Sequence, residues 1–122
     1  MKVTAYHRTN GTHSTLWAGS FLSAAPMNES YGRRLLVVEV EVGRPAKDKD
    51  VRAAAKKLGL LKRGAAAYEY LSPGLFDAFV TDCDVENLIA LLKEKGFNCA
   101  QVTDCDCPES WVTFEDVNAL NP

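Results

Sequence analysis

The sequence predicts a single α+β domain over residues 1–122, and three observations carry that expectation. Leu35-Leu-Val-Val-Glu-Val-Glu-Val42 is rich in β-branched residues and alternates apolar with acidic side chains after Val37, the period of a half-buried strand. Val85, Leu88, Ile89 and Leu92 recur at helical spacing and run into Gly96, a helix stop. No repeat, linker or low-complexity stretch divides the chain.

From the start, residues 2–8 read as a strand with Val3, Ala5 and His7 on one face and Thr4, Tyr6 and Arg8 on the other. Asn10-Gly11 is a turn signal. Residues 14–23 have no clean period, with a short strand expected at 20–23. Pro26 breaks the backbone pattern, and 27–34 read as one helical turn. Gly43 and Pro45 end the 35–42 strand. A helix is expected over 48–58, capped by Asp48 or Asp50 and lysine-rich before Gly59. Ala65–Leu71 fits helix or strand, Ser72-Pro-Gly74 is a break, and Leu75–Val80 fits a strand or short helix. Asp84 caps the next helix, a strand follows over 97–103, and an acidic turn over 104–110 leads to a strand at Trp111–Phe114. Glu115–Leu120 reads as a turn and a docked terminus.

Composition narrows the function classes. Apolar residues make up 47% and charged residues 25% of the chain, ordinary for a globular domain. A net charge of -2 gives no electrostatic case for a nucleic-acid or membrane partner, which usually shows as a basic face. The Met1–Asn10 segment lacks a hydrophobic signal region, so the expectation is a cytoplasmic protein with reduced thiols. Cys105 and Cys107 are one residue apart, tighter than common zinc-ligand pairs; with Cys83 and Cys99 they read as idle or buried thiols. Cys83 and Cys99 flank the second helix. Lys56-Lys57 and Lys62-Arg63 read as solvated helix ends.

Four short segments stand out: Tyr6-His-Arg-Thr9, Gly19-Ser-Phe-Leu-Ser23, Tyr31-Gly32, and Gly96-Phe-Asn-Cys-Ala-Gln-Val-Thr-Asp104 followed by Trp111-Val-Thr-Phe114. In order, this set resembles the small ADP-ribosyltransferases of the diphtheria-toxin and poly-ADP-ribose-polymerase type, and among them the phage anti-CRISPR ADP-ribosyltransferases. The resemblance implies two small antiparallel or mixed sheets flanked by helices, with NAD in a cleft between them. It assigns NAD contacts to His7, Arg8, Thr9, Phe21, Ser23 and Tyr31, with His7 on the adenosine ribose and Phe21 and Tyr31 around the nicotinamide. Arg8 departs from the family, which has glycine there, where a ligand approaches closely.

The same resemblance makes Asp104 the catalytic acid, with Asp106 and Glu109 as alternatives on one turn. A carboxylate beside the ribose stabilises the positive charge that develops as the nicotinamide bond breaks. The implied activity is mono-ADP-ribosyl transfer from NAD to a host protein. The ordinary readings stand beside these: His7 as a half-buried structural histidine, His13 as a loop residue, Asp106 and Glu109 as a solvated acidic loop, and Trp17, Phe21 and Tyr31 as core aromatics. Two other functions fit the chain. One is a non-catalytic protein-binding inhibitor on the same fold, favoured by Arg8. The other is a small zinc or redox protein using Cys99, Cys105 and Cys107.

Overall fold

Strand β1 (Lys2–Thr9) pairs along its whole length with the antiparallel β4 (Arg34–Glu41), from Lys2 opposite Glu41 to Thr9 opposite Arg34. The computed structural model describes residues 2–27, 29–60, 82–102 and 109–121. Between β1 and β4 lie β2 (Thr15–Leu16), β3 (Phe21–Ser23) and a single 3-10 turn, Glu29–Tyr31. There follow β5 (Pro45–Ala46), helix α1 (Asp48–Lys57), helix α2 (Asp82–Glu94), β6 (Cys99–Val102), β7 (Ser110–Thr113) and β8 (Val117–Asn118).

Among the described residues the result is an α+β fold with a six-stranded mixed sheet in the order β4-β1-β3-β7-β6-β5, and a two-stranded ribbon of β2 and β8. All its neighbours are antiparallel except β5 and β6. The large sheet is not uniform. β1 and β3 register at a single residue pair, Tyr6 opposite Ser23, so a β4-β1 half meets a β3-β7-β6-β5 half at one point. The two sheets expected are therefore redistributed: one divided sheet and a ribbon.

Alternation along the strands sends side chains to two cores. On one face Ala46, Ala100, Val102 and Val112 pack under Val51, Ala54 and Ala55 of α1 and Leu88, Ile89 and Leu92 of α2. On the other, Ala5, Leu22, Leu36, Val38, Val40, Cys99 and Trp111 pack with Leu16 from the ribbon, joined at the edge by Val117 and Ala119. Each fully buried leucine contributes roughly 1.5–3 kcal/mol of transfer free energy, and Leu22, Leu36, Leu88 and Leu92 all qualify.

Both helices end as their glycines require. Gly59 and Gly96 adopt φ of 74° and 94°, and the amides of Leu60 and Phe97 reach back to Ala55 and Leu92 in two matching left-handed caps. The helix starts differ from expectation. Lys47 precedes α1, and Asp50 accepts its backbone N–H at 3.0 Å while Asp48 is already helical. Helix α2 begins at Asp82, so Asp84 lies inside its first turn rather than at the position preceding the helix. The expected elements over 65–80 and the basic pair Lys62-Arg63 lie outside the described residues.

Three elements were missed because they are two residues long: β2 in the aperiodic 14–23 stretch, β5 where Gly43 and Pro45 read only as the end of the strand before it, and β8 in what read as a turn. Thr15 hydroxyl donates to Asn118 Oδ1 at 2.7 Å across this ribbon. The docked terminus is confirmed in detail. Leu120 N–H donates to Val37 O at 2.7 Å, Asn121 Oδ1 accepts from Val37 N–H at 2.7 Å, and Asn121 Nδ2 donates to Leu35 O at 2.8 Å.

Candidate functional site

The single-pair junction between β1 and β3 is the point around which the singled-out segments gather. Past Tyr6 the strands no longer register, and the half-buried ring of His7 spans the gap: Nδ1 lies 2.7 Å from Phe21 O. A carbonyl can only accept, so Nδ1 carries the proton, and in the neutral ring Nε2 is an acceptor. His7 thus has a fixed tautomer at a strand junction.

The Ser23 hydroxyl closes the same junction from below. It is buried, 2.6 Å from Ala25 O and 3.3 Å from Tyr6 O, and its one proton goes to the nearer carbonyl. Thr9 Oγ1 accepts the Gly11 N–H at 3.0 Å, shaping the Asn10-Gly11 turn. The turn packs His13 closely over Gly11, and the Arg34 guanidinium holds the His13 carbonyl, so His13 belongs to the loop as expected.

The segment before β4 folds back onto the end of β1. Arg8 Nε donates to Met27 O at 2.9 Å, and its terminal nitrogen lies 3.4 Å from Arg33 O. Asn10 Oδ1 accepts the Arg33 N–H at 3.1 Å. Gly32, at φ 151°, lies so close that a Cβ there would sit 2.5 Å from Thr9 N. Tyr31-Gly32 and Tyr6–Thr9, far apart in sequence, are therefore in backbone contact.

The aromatics separate. Phe21 is half-buried and packs against the helix-side core. Trp17 and Tyr31, for which core packing was the ordinary reading, are instead 75% and 50% exposed. For Trp17 the reason is strand alternation: Leu16 points into the core, so its neighbour points out. The turn that presents Trp17 is tightly built. Its carbonyl accepts from Ser20 N–H and Oγ–H, Ala18 N–H donates to Asp116 Oδ1, and Gly19 N–H donates to Thr113 O.

Asp104, Asp106, Cys105 and Cys107 lie outside the described residues. Their described flanks do reach the junction. Val102 registers with Ser110, Ser110 with Ser23, and Ser23 with Tyr6, one row across four strands. Glu109 is exposed, and its carbonyl accepts the Ala24 N–H at 3.1 Å.

The remaining cysteines part company. Cys83 is exposed on α2, whereas Cys99 is buried in the core. Burial pushes the Cys99 thiol up to about 11, with Lys47 opposing and Glu41 reinforcing the shift, so at neutral pH it is protonated and not a thiolate. Among the described residues, no group of three or more His, Cys, Asp or Glu side chains is placed to hold a metal ion. Among them also, no helix is long and apolar enough to cross a membrane.

What sequence reasoning missed here are the contacts of Arg8, Asn10 and Gly32. A Gly-Arg-Arg sequence entering a strand gave no sign of which strand end it would meet. Compared with known proteins, no family model, no curated protein and no solved structure matches this chain.

Proposed function

We propose that the protein is a mono-ADP-ribosyltransferase that takes ADP-ribose from NAD and transfers it to a host protein, with the β1–β3 junction as its NAD site. One observation carries the reading. Tyr6–Thr9, Phe21–Ser23, Tyr31-Gly32 and the described residues on either side of 103–108, picked out separately in the sequence, lie along the end of β1 and the row where the sheet divides.

The chemistry of the residues fits such a ligand. His7 Nε2, an acceptor in the neutral ring, suits a ribose hydroxyl donor, and Phe21 O holds the ring in place for it. Tyr31 is half exposed on the turn that packs against the end of β1, whereas Phe21 is partly buried against the helix-side core. NAD would supply the ADP-ribosyl group and the nicotinamide that leaves. Asp104, with Asp106 and Glu109 as alternatives, would stabilise the positive charge that develops at the ribose as that bond weakens. The host-protein acceptor and an anti-defence role rest on the resemblance.

Calorimetry of NAD against the purified protein tests this. Saturable binding that His7→Ala weakens, with transfer lost in Asp104→Asn at an NAD affinity within about tenfold of wild type, supports the proposal, since a charge-stabilising carboxylate acts mainly in the transition state. No binding at millimolar NAD overturns it.

A second reading, a non-catalytic protein-binding inhibitor, is favoured by Trp17. Rigid, exposed tryptophans are the residue type that anchors protein interfaces, and Trp17 is 75% exposed on a turn held by four hydrogen bonds. A stable partner complex unaffected by Asp104→Ala but lost in Trp17→Ala would select it.

A further inference from the structure

We infer that Arg8 is a positioning residue: it acts on the candidate site by clamping the Glu29–Arg33 segment, and does not itself touch ligand. In its NAD-binding consequence this rests on the function proposed above; the clamp itself does not.

The geometry is that of a fork. Arg8 donates from Nε to Met27 O at 2.9 Å and reaches Arg33 O from a terminal nitrogen at 3.4 Å, so one planar guanidinium holds carbonyls from both sides of the 3-10 turn. Arginine can do this because its donors diverge from a rigid plane, whereas a lysine ammonium is a single point. The segment is also tied from β1 by Asn10 Oδ1, which takes the Arg33 N–H at 3.1 Å, and by the seat of Gly32 on the Thr9 backbone. Half-exposed Tyr31 sits between these anchors.

The departure at position 8 then has a physical account. The side chain leaves β1 to reach Met27 O and Arg33 O. It crosses to the neighbouring segment, and its charge is spent on two carbonyl dipoles. A ligand contacting Tyr31 would meet a wall already in place, with less ordering to be done on binding.

Hydrogen exchange separates the possibilities, with calorimetry on the same proteins. The reporters are the amides of Gly32, which donates to Glu29 O, and Arg33, which donates to Asn10. In Arg8→Met both should exchange about tenfold faster or more, the range expected for losing charge-assisted bonds, while core amides of β7 stay unchanged. Arg8→Lys, which keeps the charge and loses the fork, should behave like Arg8→Met in exchange and NAD affinity. Asn10→Ala should weaken NAD binding to a similar degree.

Unchanged exchange in Arg8→Met overturns the clamp, whatever NAD does. Faster exchange with unaltered NAD affinity overturns the positioning role. An Arg8→Lys protein that keeps wild-type affinity, beside an Asn10→Ala protein that also keeps it, shows a direct contact with an anionic ligand and overturns it too. If wild type binds no NAD, the proposed function fails, and the exchange data alone still decide the clamp.

Discussion

Substituting Gly32 by alanine probes the candidate site through its backbone. At φ 151° the residue lies in a region that side chains avoid, and the new Cβ would sit 2.5, 2.7 and 2.8 Å from Thr9 N, C and Cα. These are main-chain atoms of β1, paired with Arg34 across the sheet, and cannot rotate aside. Backbone strain of this kind costs about 1–3 kcal/mol, and forcing a methyl into occupied space about 1–3 kcal/mol more. The expected loss is therefore about 4 kcal/mol, a large part of the 5–15 kcal/mol typical of a domain. Gly59→Ala is the internal control. It shares a positive φ of 74°, but among the described residues nothing lies within 4 Å of its Cβ, so only the conformational penalty of about 1–2 kcal/mol is expected. Urea unfolding followed by far-ultraviolet circular dichroism reads both as shifts in midpoint at constant slope, about 2 M for Gly32→Ala at a slope near 2 kcal/mol/M. Equal midpoints for the two variants would refute the close approach of Gly32 to Thr9, and with it the joining of Tyr31 to the end of β1.

Other expectations follow from burial. Leu92→Ala, at a site with no exposed surface between α2 and the sheet, should cost about 2–5 kcal/mol in urea unfolding. The raised Cys99 value links stability to pH: the folded state holds the proton more tightly, so its contribution is whole below the ordinary value of 9.0 and is lost as pH rises toward about 11. At 1.36 kcal/mol per unit the loss is at most about 3 kcal/mol, and Cys99→Ala should flatten that part of the stability–pH curve relative to wild type. Trp17→Ala should change stability by less than about 0.5 kcal/mol and remove most acrylamide-quenchable fluorescence, because the other tryptophan, Trp111, is only 6% exposed.

The elements legible in the sequence were those whose own residues pay for them in apolar periodicity. Leu35–Val42 alternates and emerged as β4 within one residue; Val85, Leu88, Ile89 and Leu92 kept a helical period and emerged on α2. Both helix stops were readable because glycine adopts their left-handed dihedrals without steric cost. Illegible were pieces defined by partners remote in the chain. β2 and β8 exist only because Thr15 and Leu16 meet Asn118 and Val117. Helix starts slipped because a carboxylate near a helix start serves equally as cap or as first-turn residue, as Asp48, Asp50 and Asp84 show. For the site, the segments could be named in advance, and so could the faces of β1 that divide His7 from Arg8. Their meeting at one junction could not, since it depends on β1 and β3 sharing one pair and then parting. Nor could the destination of the Arg8 side chain, which is set by carbonyls 19 and 25 residues away.

The docking of Leu120 and Asn121 on β4 also bears on how copies of the chain meet in crowded solution. An outermost strand with open amides and carbonyls is a template for another chain to extend. Here Val37 and Leu35 are occupied by the chain's own residues, and the rest of that rim carries exposed Glu39 and Glu41, whose like charges oppose a second copy. Among the described residues the opposite rim is β5, which is two residues long and begins with Pro45, which has no amide hydrogen to offer. Neither rim gives a long ladder to an approaching strand, so the divided sheet does not invite fibrous growth from its borders.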